Sequence, residues 1–121
     1  MIRIGRGIDR AAVREAVERG DATTVVYDDV LEATDIRETL AGIREAGMPR
    51  AATALLGWLA SHPNTPPDAL RELFAHGRRE VLVCLAMNRR LPEDLRRLLL
   101  EHADPDVREH AHHTFSLTKR H

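Results

Sequence analysis

The sequence predicts an all-α protein, a short stack of helix pairs behind an amino-terminal helical cap. Three observations carry that expectation: apolar residues recur at helical spacing, proline and glycine punctuate the chain, and part of the second half repeats itself. The 121 residues fit a single domain, 1–121, with 1–47 as the cap and 48–121 as the repeats.

Asp9 can cap a first helix whose apolar residues Ala12, Val13, Ala16 and Val17 form one stripe, with Gly20 as its stop. Asp21 is a candidate cap for a second segment, where Val26, Tyr27, Val30 and Leu31 show helical spacing. TTVVY within it is also a good strand sequence. Asp35 and Glu38 have capping-box spacing, Ile36, Leu40 and Ile43 share a face, and Gly47 terminates the helix. Pro49 suits the first turn of the next helix, and Leu55, Leu56, Trp58 and Leu59 predict that it is strongly buried.

After the turn SHPNT, Thr65 reads as an N-cap hydroxyl, with proline in the first turn and Asp68 behind it. Leu70, Leu73 and Phe74 supply that helix with an apolar stripe, and Gly77 ends it. Val81, Val83, Leu85 and Ala86 form a short buried segment closed by Asn88. Shifting the chain by 25 residues lays SHPNTPPDALREL over AMNRRLPEDLRRL, pairing Pro67 with Pro92, Leu70 with Leu95 and Leu73 with Leu98. One residue further on, HGRREV lies over HADPDV, pairing His76 with His102 and Val81 with Val107.

The stretch HPNTPPDALRELF, REVLVCLAMNRRLPEDLRRLL and DPDVREHA resembles the leucine-rich repeat variant family over about residues 54–114. That resemblance implies a short right-handed α-solenoid of stacked helix pairs, HEAT-like in arrangement, with one helix of each pair often short. It implies little shared chemistry. Some members carry a cysteine-rich iron–sulfur module, which the lone Cys84 cannot build, so no cofactor is expected. The amino-terminal half lacks the motif and is expected to cover the first repeat, as a solenoid end requires.

Composition narrows the function. Eighteen basic against nineteen acidic residues leave a formal charge of −1, which does not advertise a nucleic-acid or membrane surface. Val81 to Met87 falls well short of the ~20 apolar residues that cross a bilayer, and the amino terminus lacks a signal-peptide core, so a cytoplasmic location is expected. Arginine supplies all the basic residues but Lys119, a bias that reads as a bacterial high-GC composition.

No catalytic signature emerges, and the chain is not expected to be an enzyme. IGRGID lacks the rest of a phosphate-loop fingerprint, and Cys84 sits in apolar VLVCLAM, the setting of an inert thiol. Asp28 or Asp29 could share a face with Glu32, but a solvated acidic face explains them as well. Of the seven histidines, His110 and His113 share a helical face and could grip a metal with help from His102. Helix-end and surface roles are the simpler reading for these and for His62, His76 and His112, and no metal is expected.

The arginine doublets Arg78–Arg79, Arg89–Arg90 and Arg96–Arg97 are the candidate binding residues. In stacked pairs the 76–79 and 87–91 turns lie at opposite ends, while Asp104 and Asp106 should meet Arg78 and Arg79. Glu80, Glu93 and Asp94 break the stripe further, and Trp58 and Phe74 read as core rather than as base-stacking groups. The expectation is therefore a non-catalytic protein-binding module (adaptor, regulator or immunity-like partner). Nucleic-acid binding through the doublets and a histidine–metal enzyme or sensor are the alternatives. A homodimer through Phe115 and Leu117 is a further possibility for the partner.

Overall fold

The computed structural model describes residues 2–20, 25–27 and 31–119, with side chains described over 3–20 and 31–115. The described chain is all-α in class. Strand β1 (Ile2–Ile4) leads into helix α1 (Arg10–Glu18), strand β2 (Val25–Tyr27) and helix α2 (Ala33–Glu45). A 3-10 turn, Arg50–Ala52, then precedes α3 (Thr53–Ser61), α4 (Pro67–His76), α5 (Arg79–Ala86), α6 (Glu93–Leu100) and α7 (Pro105–Lys119).

The cap is not purely helical. Strands β1 and β2 pair in parallel, with Ile2 opposite Val25 and Ile4 opposite Tyr27, and α1 is the crossover between them. The helical reading through Val26 and Tyr27 is thus corrected. Adjacent β-branched Val25 and Val26 favour the extended chain, and Ile2–Ile4 supplies the neighbour such a strand needs. The rest of that segment, including Asp21, Asp28, Asp29 and Val30, lies outside the described residues.

Helix α1 buries Val13, Ala16 and Val17 against α2, which turns Ile36, Leu40 and Ile43 inward. The two cross closely at Gly42, where a Cβ would fall 2.6 Å from both the Arg10 carbonyl and the Val13 Cβ. Asp35 is the third residue of α2 rather than its cap: the helix begins at Ala33, and Glu32 is the N-cap of the box. The Asp35 carboxylate accepts from the amides of Glu32 (2.9 Å) and Gly7 (2.8 Å), so this buried acid ties the β1–α1 loop to the start of α2.

Beyond α2 the odd-numbered helices stack, α3 on α5 and α5 on α7. They begin at residues 53, 79 and 105, two steps of 26, and α4 and α6 begin at 67 and 93, the same step again. Burial repeats with it: Leu55, Leu56, Leu59 and Ala60 of α3 match Val81, Leu82, Leu85 and Ala86 of α5. The helical register is therefore 26 through α4 and α6, not 25. Leu95 and Leu99 are the buried pair on α6, whereas Leu98, expected in the stripe, is half exposed.

Turns close the helices. Gly77 closes α4 in the left-handed region at φ 68°, a conformation that costs glycine nothing. Pro66, not Thr65, is the N-cap of α4; the Thr65 hydroxyl is buried and donates instead to the Leu59 carbonyl at 2.5 Å, closing α3. One apolar core runs from Ile4 to Phe115, and among the described residues no buried side-chain nitrogen or oxygen lacks a partner. No described helix is long and apolar enough to cross a membrane.

Candidate interaction surface

A guanidinium has five donors in a planar fork and reaches a carboxylate a full helix away, so it can tie elements whose backbones do not touch. The even-numbered helices are tied in this way. Arg44 of α2 holds Glu72 of α4 with two bonds of 2.8 and 2.7 Å, and Arg37 holds Asp68 at 3.0 and 3.3 Å. Arg71 of α4 reaches Asp94 of α6 at 3.1 Å, and Arg10 of α1 reaches Glu38 of α2 at 2.6 Å. Hydrogen bonding to these arginines holds Glu38, Asp68 and Asp94 below the usual carboxylate range, and the guanidiniums of Arg10, Arg37 and Arg44 rise in return.

Between α1, α2 and α4 these pairs frame an open groove of about 470 Å³, with Leu40, Ala41 and Ala69 along its floor. Its charge alternates around the rim, and every guanidinium there already has a carboxylate. Sequence reasoning missed these pairs because their members stand far apart in the chain. The one visible signal was an aspartate at the second position of α4 and of α6, two residues after the N-cap proline, with an arginine three residues on.

The predicted arginines differ in what they hold. Arg78 is structural: its guanidinium donates to the Pro49 carbonyl (3.2 Å), to the Thr53 hydroxyl (3.0 Å) and to the Met48 carbonyl, pinning the 3-10 turn to the start of α5. Arg79 grips Asp104 at 2.8 Å and also Asp106, whereas Arg78, expected to meet the same acids, is turned to the 3-10 turn instead. Arg96 donates to the Leu91 carbonyl at 3.0 Å and lies 5.9 Å over the Phe115 ring.

Arg89 and Arg90 sit at the α5–α6 turn beside Met87, which is about half exposed, and their guanidiniums have no side-chain partner among the described residues. Arg97 meets Glu93 of its own helix at 3.8 Å, with both side chains mostly in solvent. The doublets thus do not form one patch. Phe115, considered for self-association, is 2% exposed and packed in the core, and Leu117 lies outside the described side chains.

The turns are held by polar side chains that act on the backbone. Asn88 is buried; its amide donates to the Ala60 carbonyl at 2.8 Å and the His62 carbonyl at 3.4 Å, while its oxygen accepts from the Arg90 amide at 2.9 Å. Asn64 donates to the Leu31 carbonyl at 2.8 Å, joining the α3–α4 turn to the cap. His62 and His102 each accept a backbone N–H two residues on, from Asn64 (3.1 Å) and Asp104 (3.0 Å), so neutral imidazole does what an asparagine side chain does at Asn88. Burial lowers the His62 pKa, and the Trp58 ring lies edge-on to it with centroids 5.1 Å apart.

His110 Nδ1 lies 2.7 Å from the Asp106 carbonyl and His112 Nε2 lies 3.1 Å from that of Leu100, while His76 and His113 are exposed. No three histidine, cysteine or carboxylate groups among the described residues stand close enough to hold a metal. Cys84 is half buried against Gly57, and burial pushes its thiol up, away from the thiolate a nucleophile needs. Comparison with protein-family models, with curated proteins and with solved structures finds no match for this chain.

Proposed function

We propose that the protein is a non-catalytic protein-binding module: a cytoplasmic adaptor, regulator or immunity-like partner built as a short right-handed α-solenoid of the leucine-rich-variant kind. Support for the repeat comes from the 26-residue step shared by helix starts, burial and turns. The observation that carries the binding role is the disposition of the arginines. Most are committed to carboxylates or carbonyls of neighbouring elements, which leaves a long face of alternating charge rather than a cationic groove. Such a face suits a protein surface, where arginine supplies directional contacts and mixed charge selects the partner.

One observation favours a second reading. The guanidiniums of Arg89 and Arg90 have no side-chain partner among the described residues, and two adjacent cations of that kind are what a phosphate backbone would engage. Capture from a bacterial lysate with the full chain as bait, with and without nuclease, separates the two. The binding-module reading expects a discrete protein that survives nuclease and is still captured by an Arg89→Glu/Arg90→Glu bait. Recovery of nucleic acid, with all proteins lost after nuclease, would overturn it in favour of the second.

A further inference from the structure

The α3–α4 and α5–α6 turns are built on the same hydrogen bond with different acceptors. In the α5–α6 turn the side-chain oxygen of Asn88 accepts the N–H of Arg90, two residues on, at 2.9 Å. In the α3–α4 turn His62, 26 residues earlier, takes that place, and its ring Nδ1 accepts the N–H of Asn64 at 3.1 Å. A backbone N–H can only donate, so Nδ1 must keep its lone pair and the ring must be neutral. Imidazolium donates from both nitrogens, so protonation abolishes this bond. The amide of Asn88 has no such second state.

The titrating turn is the one that meets the cap. Asn64 donates from its side chain to the Leu31 carbonyl at 2.8 Å, immediately before the Glu32 N-cap of α2. Leu31 is fully buried there. On its other side the turn is fixed: Asn88 holds the Ala60 and His62 carbonyls, and the Thr65 hydroxyl closes on the Leu59 carbonyl. Further along, Arg37 and Arg44 tie α2 to α4 through Asp68 and Glu72. His62 thus governs the start of α2, while the rest of that helix is held independently. His102 makes the same bond to the Asp104 N–H, but its turn is also braced by Arg79 on Asp104 and by Arg108 on the His102 carbonyl.

The His62 ring lies edge-on to Trp58 of α3, with centroids 5.1 Å apart. The charged groups on the neighbouring elements are Glu32, 3.7 Å from Arg6, Asp68 in the first turn of α4, held by Arg37, and Arg89 and Arg90 in the next turn. Among the described residues none pairs with the ring, and burial is what lowers its pKa.

We propose that His62 is a pH-sensitive latch between the cap and the repeats: protonation of its ring frees the Asn64 N–H, releases the Leu31 carbonyl and opens the start of α2. The switch is local. It loosens one join and uncovers Leu31, and it leaves α3, α5 and α7 packed on one another.

NMR of the isotope-labelled full chain reads each part of the latch. At about pH 7.5 the His62 ring should show an unprotonated Nδ1 and a protonated Nε2. As the pH is lowered to about 5, the protection factor of the Asn64 amide should fall roughly tenfold or more, with the midpoint of the ring itself. The Leu31 methyl signals should shift with that same midpoint, and the Arg90 amide, held by Asn88, should keep its protection. His62→Asn should remove the step while keeping Asn64 protected, whereas Asp28→Asn/Asp29→Asn should retain it. The wild-type signals decide the case alone if His62→Asn fails to fold.

Any of four results would overturn the proposal. These are a ring protonated at Nδ1 near neutral pH, Asn64 protection unchanged across the titration of the ring, the same loss of protection in His62→Asn, and a loss that reaches Arg90 and α5 at the same midpoint, which is global unfolding.

Discussion

Single polar side chains decide where this chain turns. Asn88 satisfies the Ala60 carbonyl and the Arg90 amide from a buried position, so Asn88→Ala leaves both without a partner. The expected loss is about 1–3 kcal/mol, read from urea denaturation, with the slope unchanged. His62 makes stability depend on pH. Its folded pKa lies below the ordinary imidazole value, so the unfolded chain binds more protons as pH drops below about 6.5. The stability that neutral His62 contributes is complete above that value and is lost as pH falls through the folded pKa. Melting between pH 7.5 and 5 should show this decline in the wild type and a smaller one in His62→Asn, whose side chain can keep the bond to the Asn64 amide. These roles were only half legible in the sequence: Asn88 could be seen to close a helix, but the carbonyl it holds lies 28 residues away. The same distance hid the arginine pairs, because a sequence shows charge balance and not which acid each guanidinium meets.

At the scale of elements, starts and stops were readable wherever proline or glycine dictates the backbone, as at Pro67 and Gly77. The misreadings have physical causes. Strand β2 was hidden because a parallel partner, Ile2–Ile4, sits across a whole helix from it. The stripe of α6 was placed one residue early because aligning Pro67 with Pro92 matches a first-turn proline to an N-cap proline. Helix crossings were not legible at all, since a glycine in a helix does not announce what lies over it. Gly42 lets α1 approach α2, and a methyl group there meets a backbone carbonyl and the Val13 Cβ, neither of which can yield. Gly42→Ala should destabilise by about 1–3 kcal/mol despite a better helix propensity. Gly57→Ala should cost less, because it meets one movable atom, Cys84 Sγ at 3.0 Å. Chemical denaturation of the two variants side by side tests that order.

Across the described residues one apolar core runs from Ile4 to Phe115, and the even-numbered helices are laced by arginine–carboxylate pairs. An arginine-rich chain thereby presents a face of alternating charge. The central claim of the proposed function is that these guanidiniums are ties between helices and a means of protein recognition, not a phosphate-binding surface. The most direct measurement is a titration of a fluorescent single-stranded and a double-stranded oligonucleotide with the full chain over a range of salt concentrations. The account predicts weak or no binding at physiological salt and a shallow dependence of log K on log salt, the same for wild type and for Arg89→Ala/Arg90→Ala. Tight binding with a steep slope, flattened by roughly one contact per arginine removed in that variant, would contradict it.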